Sequence, residues 1–192
     1  MESTLLASEL KAHQAVLEKT VLECGAVVDQ VIAAIIACFR SGNKLLLCGN
    51  GGSAADALHV AGEFVNRFRY DHAALPALAL SADPVLLTCI ANDSAFENVF
   101  SRQMEALAKA GDILVGISTS GNSPDVLKAL ETASRLGVRT IAFTGEGGGG
   151  RMSSLCDLAV VVPSRDTPRI QECHIFLWHV ICETVEKTIF PR

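Results

Sequence analysis

The pattern that most constrains this chain is a set of five short apolar runs separated by helix-like stretches. The runs are Lys44–Gly49, Pro76–Ser81, Asp112–Ser118, Val138–Thr144 and Leu158–Pro163. Each is apolar throughout rather than alternating, as in strands covered on both faces. Between and after them, residues 53–68, 83–91, 95–108, 123–136 and 168–189 read as helices, and Gly147–Gly150 as a loop. Parallel strands need long crossovers, and helices supply them. The expectation is an α/β domain: a three-layer, doubly wound, five-stranded parallel sheet of the flavodoxin-like kind. Residues 5–40 form a helical extension in front of it, with Leu10, Val16, Val21, Val28, Ile32, Ile35 and Ile36 recurring at steps of three and four. Gly25 is a candidate break into two helices, and Ser41-Gly42-Asn43 is the stop. No linker or repeat divides the 192 residues, which read as a single domain.

Composition removes several function classes. With 49% hydrophobic residues the chain is not disordered. The most apolar stretch, Val27–Phe39, carries Asp29 and Gln30 and is too short to span a bilayer, so no membrane segment is expected. A net charge of −5 leaves no basic stripe for nucleic acid. Seven cysteines, an odd number with no CxxC spacing, and an N-terminus without an export pattern fit reduced thiols in a cytoplasm.

In doubly wound sheets ligands bind beyond the carboxyl ends of the strands. Two such ends carry polar, glycine-bearing loops. Gly49-Asn50-Gly51-Gly52-Ser53 follows the first strand and opens a helix, where free N–H groups and the dipole suit an anion. It fits G-x-G-x-x-G/A, but the acidic residue a dinucleotide site needs, Asp83, comes about 34 residues after Gly49 rather than about 20. No Lys-Ser or Lys-Thr follows, which excludes a Walker loop. A tight strand–helix turn without a ligand fits this motif equally well. The second loop, Ser118-Thr119-Ser120-Gly121-Asn122-Ser123, gathers four hydroxyls where a helix cap needs one. Together the loops favour a small phosphorylated ligand, held by amides and hydroxyls. Aromatic residues are only 5% of the chain, so a sugar phosphate suits it better than a stacked nucleotide.

Titratable pairs are the next candidates. His59 and Glu63 share a helix face four residues apart, suited to one metal or to joint acid–base work, although Glu63 can equally pair with Arg67. The last helix carries Gln171, Glu172, His174, His179 and Glu183. Gln171 and His179 lie about 80° apart on an ideal helix and Glu172 aligns better with His179, so periodicity does not choose between them. A lone histidine in an apolar run, as His179 is, is usually a core or interface residue. His13 and His72 lack polar neighbours in sequence and read as surface residues.

The segments GNGGSAADALHVAGEFVNRF, ANDSAFENVFSRQ, GISTSGNS and RIQECHIFLWH, in this order, resemble the phosphoheptose (sedoheptulose 7-phosphate) isomerases, a branch of the sugar isomerase (SIS) domain families. The resemblance covers essentially the whole chain. It implies the SIS fold, a homotetramer with active sites between subunits, and conversion of sedoheptulose 7-phosphate to D-glycero-D-manno-heptose 7-phosphate, upstream of nucleotide-activated heptoses of bacterial surface polysaccharide such as lipopolysaccharide. By position it implies substrate contacts at Asn50, Gly51, Gly52, Ser53, Glu63, Asn92, Asp93, Ser118, Thr119, Ser120, Ser123 and Gln171. It implies a zinc ion on His59, Glu63, Gln171 and His179, with Glu63 the general base and His179 the general acid. Some members carry an aspartate just before the Arg-Ile-Gln segment; here Asp166-Thr167-Pro168 precedes Arg169, and the role of Asp166 stays open. The DnaA initiator-associating proteins, a non-catalytic branch that binds a replication partner, are similar along their length but lack the acid–base pair that this chain retains. A regulatory SIS domain would come attached to a basic DNA-binding segment, which residues 1–40 do not resemble.

Overall fold

A computed structural model describes residues 4–147 and 149–192. The strands are β1 (Leu45–Gly49), β2 (Ala77–Ala79), β3 (Ile113–Ser118), β4 (Arg139–Gly145) and β5 (Leu158–Val162). The helices are α1 (Thr4–Arg40), α2 (Gly52–Val65), α3 (Pro84–Asp93), α4 (Ser101–Leu107), α5 (Pro124–Arg135), α6 (Gly149–Leu155) and α7 (Thr167–Ile189). The strands form one parallel sheet in the order β2-β1-β3-β4-β5. The chain leaves β1 toward one edge and β3 toward the other, so the loops after these neighbours diverge and open a crevice between them.

Alternate residues of each strand feed two cores. Leu45, Leu47, Val115, Ile117 and Phe143 pack under α1, α2 and α7. Leu46, Cys48, Leu114 and Ala142 pack under α3, α4, α5 and α6. At the lower end of the sheet the buried Asp112 carboxylate accepts from the Lys44 amide (3.0 Å), the Lys44 ammonium (2.5 Å) and the Lys109 amide (2.9 Å), tying the starts of β1 and β3 together.

α1 is long and apolar enough, by length and composition, to cross a membrane. Its second half spends that character inside the protein: Val31 and Ile35 are fully buried in the core shared with α7 and the sheet. Its first half leaves Leu5, Leu6, Leu10 and Leu22 exposed. Arg169 on α7 donates to the Glu9 carbonyl (2.9 Å), and His13 pairs with Glu172 (2.7 Å), fastening the first half of α1 to α7.

Four sequence expectations change. Gly25 does not divide α1; the burial of Cys24 and Val28 beside it carries the helix through a residue that costs only about 1 kcal/mol relative to alanine. Residues 95–108 are a short 3₁₀ turn (Phe96–Asn98) and then α4, a reorientation that buries Val99, Phe100 and Met104 together. Of the expected loop at Gly147–Gly150, position 148 lies outside the described residues and α6 begins at Gly149; Met152 anchors it, its methyl reaching the gap left by the missing side chain of Gly116. His13 and His72 are partnered rather than free surface residues: His72 contacts Glu186 at 3.3 Å, its side chain only 2% exposed, and stacks on Phe190. All seven cysteines are free thiols.

Candidate active site and metal centre

Both glycine-bearing loops stand at the crevice. Gly51, at φ +54°, is the N-cap of α2, a conformation that favours glycine. A side chain at Gly49 would press on the Ile117 and Ser53 carbonyls, so only glycine lets the loop turn this closely. Asn50 donates both ways to the buried carboxylate of Asp125 on α5, at 2.8 and 3.1 Å, which joins the first loop to the helix behind the second. Sequence reasoning missed Asp125; its place in the first turn of α5, where an acidic side chain suits the helix dipole, was the available signal.

In the second loop the Ser123 hydroxyl makes no cap bond to α5. It meets Ser118 Oγ at 2.8 Å, with Ser120 Oγ 3.4 Å from Ser118. The hydroxyls are therefore gathered on one another rather than spent on the helix. Thr119 stands at the end of β3, its carbonyl accepting from the Gly145 amide (3.1 Å).

The candidate acid–base residues meet further along α2, about two to three turns past its start. His59 Nε2 is 2.9 Å from Glu63 Oε1 and 3.5 Å from His179 Nε2 on α7. One ligand atom from each of the three lies within 4.8 Å of the others. Arg67 pairs with Asp71 instead of Glu63. Burial, with His59 and Arg69 nearby, pulls the His179 imidazole below its ordinary value against the opposing pull of Glu63, so the ring is neutral at pH 7 and free to ligate. Two imidazoles and a carboxylate, converging from two helices, are a donor set that zinc accepts.

Geometry separates Gln171 from Glu172. The carboxamide of Gln171 lies against Gly52, in the space a side chain there would fill, so Gln171 faces the start of α2. Glu172 turns away to His13 and to Arg169 (2.8 Å). The core-histidine reading belongs to His174, not to His179. His174 is wholly buried against Phe143 and Thr144, and burial pushes its imidazole down to about 4.

Glu186 was also missed. Its buried carboxylate gathers the amides of Phe68 and Arg69 at 3.0 Å, fixing the segment after α2 so that the Phe68 ring packs 5.6 Å from His179. Asp83 is the N-cap of α3, accepting from Val85 and Leu86. Asp166 is exposed at the N-cap of α7 and makes no side-chain cap bond. Asn92 and Asp93 bond each other at 2.8 Å at the end of α3, on the opposite sheet face. Asp93 lines a cavity of about 480 Å³ with Arg102, Lys128 and Arg135, away from the His59–Glu63–His179 cluster.

Comparison with known proteins identifies the family. The SIS-domain family profile matches residues 10–145. The phosphoheptose isomerase of Trichlorobacter lovleyi is 49% identical over 187 residues, covering 97% of this chain and 95% of the relative. That of Desulfovibrio desulfuricans is 60% identical over 158 residues, 82% of this chain and 75% of the relative. The solved phosphoheptose isomerase of Neisseria gonorrhoeae superposes with a TM-score of 0.91 at 37% identity, covering 97% of this chain and 100% of the other. The initiator-associating alternative finds no support among these relatives. The matching family profile, and relatives alike in sequence and fold along the whole chain, lead to one assignment: the chain is an isomerase of the phosphoheptose isomerase family of SIS-domain proteins.

Proposed function

We propose that this isomerase converts sedoheptulose 7-phosphate to D-glycero-D-manno-heptose 7-phosphate through an enediol, using Glu63 and His179. The observation that carries the reading is the convergence of a carboxylate and a neutral imidazole, from separate helices, on one point. Glu63 takes the proton from C1 of the ketose and returns it to C2. His179 serves the oxygens on those carbons, its N–H donating as the enediol forms. Only Oε1 of Glu63 is engaged by His59, which leaves Oε2 for the carbon proton. The serine loop and the α2 N-terminus hold the phosphate, Ser118, Thr119, Ser120 and Ser123 by hydroxyl or amide and Asn50, Gly51, Gly52 and Ser53 by the opening turn.

His59, Glu63 and His179 are the residues that would hold a zinc ion; the resemblance adds Gln171, whose carboxamide lies against Gly52, seven residues before His59 on α2. Bound there, zinc supplies Lewis-acid polarisation of the substrate carbonyl and a countercharge for the enediolate.

The site is completed between copies in a homotetramer. Gly52 and Glu63 are eleven residues apart, about 16 Å along α2, so in one chain the phosphate loop and the acid–base pair stand well apart. Asn92 and Asp93 lie at the end of α3, on the sheet face opposite α2 and α7, and would reach substrate from a neighbouring subunit. The exposed Leu5, Leu6, Leu10 and Leu22 of α1 and Phe176 and Val180 of α7 are the apolar surface that such an assembly covers. The aldose product then enters nucleotide-heptose synthesis in the cytoplasm, where the seven free thiols stay reduced.

The test is metal removal. Chelator-stripped protein should turn over sedoheptulose 7-phosphate at least 10²-fold more slowly than the untreated protein, and stoichiometric zinc should restore the rate. An unchanged rate in the stripped, metal-analysed protein would contradict the zinc assignment.

A further inference from the structure

One buried group near the cluster has no partner. Asp56 lies on α2 three residues before His59 and seven before Glu63, on the same helix face. Its Oδ2 is shielded from solvent and makes no hydrogen bond to any described residue. An unsatisfied buried acceptor is costly, and such atoms mark either strain or a partner that arrives later. Burial pushes the carboxyl up to about 6, and His59 is the charge that draws it back. His59 in turn directs Nε2 at Glu63 and His179, and its Nδ1 makes no hydrogen bond among the described residues.

We propose that Asp56 is a positioning residue for His59: its orphaned oxygen accepts the Nδ1–H of His59 when Nε2 takes a divalent cation. A carboxylate on the far nitrogen fixes the tautomer and the ring plane of a metal-bound histidine and raises its basicity as a ligand. Asp56 itself touches neither metal nor substrate. The inference rests on the metal reading of the cluster, and its test is arranged so that the two fail differently.

Zinc affinity is measured on metal-stripped parent, Asp56→Asn and Asp56→Ala by competition with a chromophoric chelator, alongside thermal melting of each metal-free protein. Asp56→Ala should bind zinc on the order of 10–100-fold more weakly. Asp56→Asn, whose carboxamide oxygen still accepts, should lose less. Metal-free Asp56→Ala should melt no lower than the parent, because it removes the unpaired buried acceptor, and metal-free Asp56→Asn should melt close to the parent; an aspartate of merely structural use would lower both. Zinc affinity within threefold of the parent in Asp56→Ala would overturn the proposal, as would metal-free variants that both melt well below the parent. A parent that binds no zinc would overturn the metal reading and this inference together.

Discussion

Glu63→Gln should lower kcat on sedoheptulose 7-phosphate by about 10²–10⁴-fold, the usual worth of a positioned general base. The carboxamide matches the carboxylate in size, so the helix and the apolar contacts of its face are untouched. Glu63 is partly exposed, and its one hydrogen bond is the 2.9 Å contact with His59. The thermal midpoint and the oligomeric state should therefore stay those of the parent. Because the lost group acts on the carbon proton, kcat and kcat/KM should fall together. Steady-state kinetics with matched melting curves check this; a variant retaining more than a tenth of the parental kcat would remove Glu63 from the base role.

Asp112→Ala should produce the largest loss of stability. The substitution leaves the Lys44 ammonium and the amides of Lys44 and Lys109 without their acceptor at the foot of β1 and β3. Breaking a buried pair from one side costs about 3–5 kcal/mol, or about 10 °C in a domain of this size. Burial tends to raise the Asp112 carboxyl, but the hydrogen bonds from Lys44 and Lys109 and the Lys44 charge outweigh it and hold the group below its ordinary value. A depressed carboxylate stabilises the fold fully above its unfolded value, about 3.9, and the contribution disappears as pH falls through the folded value. The gap between parent and variant should thus be full at pH 7 and narrow below pH 4. Melting curves by circular dichroism at the two pH values decide the matter; a gap under 2 °C at pH 7, or one equally wide at pH 3, would contradict the account.

The sheet was legible because its strands are buried on both faces. Runs such as Leu45–Cys48 and Ile113–Val115 leave no polar side to confuse with a helix or a surface strand. Helix spacing likewise placed His59 and Glu63 together, since four residues make one turn. Where contacts join distant parts of the chain, periodicity had nothing to say. Gln171 and Glu172 are neighbours on α7, and only the missing side chain of Gly52 gives one of them the site. Asn50 and Asp125, or Phe68 and Glu186, meet across 75 and 118 residues. His72 looked isolated because Glu186 and Phe190 come from the far end of the chain. Local propensity also misled where packing overrode it: glycines hid α6, which Met152 anchors, and Gly25 suggested a break that the buried face of α1 does not allow. Asp56 was passed over for a different reason, since an acidic residue inside an amphipathic helix reads as solvent-facing until its oxygen is found buried and alone.

The central claim is that the α2–α7 cluster of this chain carries out aldose–ketose isomerisation of a heptulose 7-phosphate. The most direct measurement is an NMR time course of sedoheptulose 7-phosphate with zinc-loaded protein. The account predicts the steady appearance of the anomeric proton signals of D-glycero-D-manno-heptose 7-phosphate at the expense of the ketose, and none with Glu63→Gln on the same timescale. No aldose at any zinc level from the folded parent, or equal product from the variant, would contradict it.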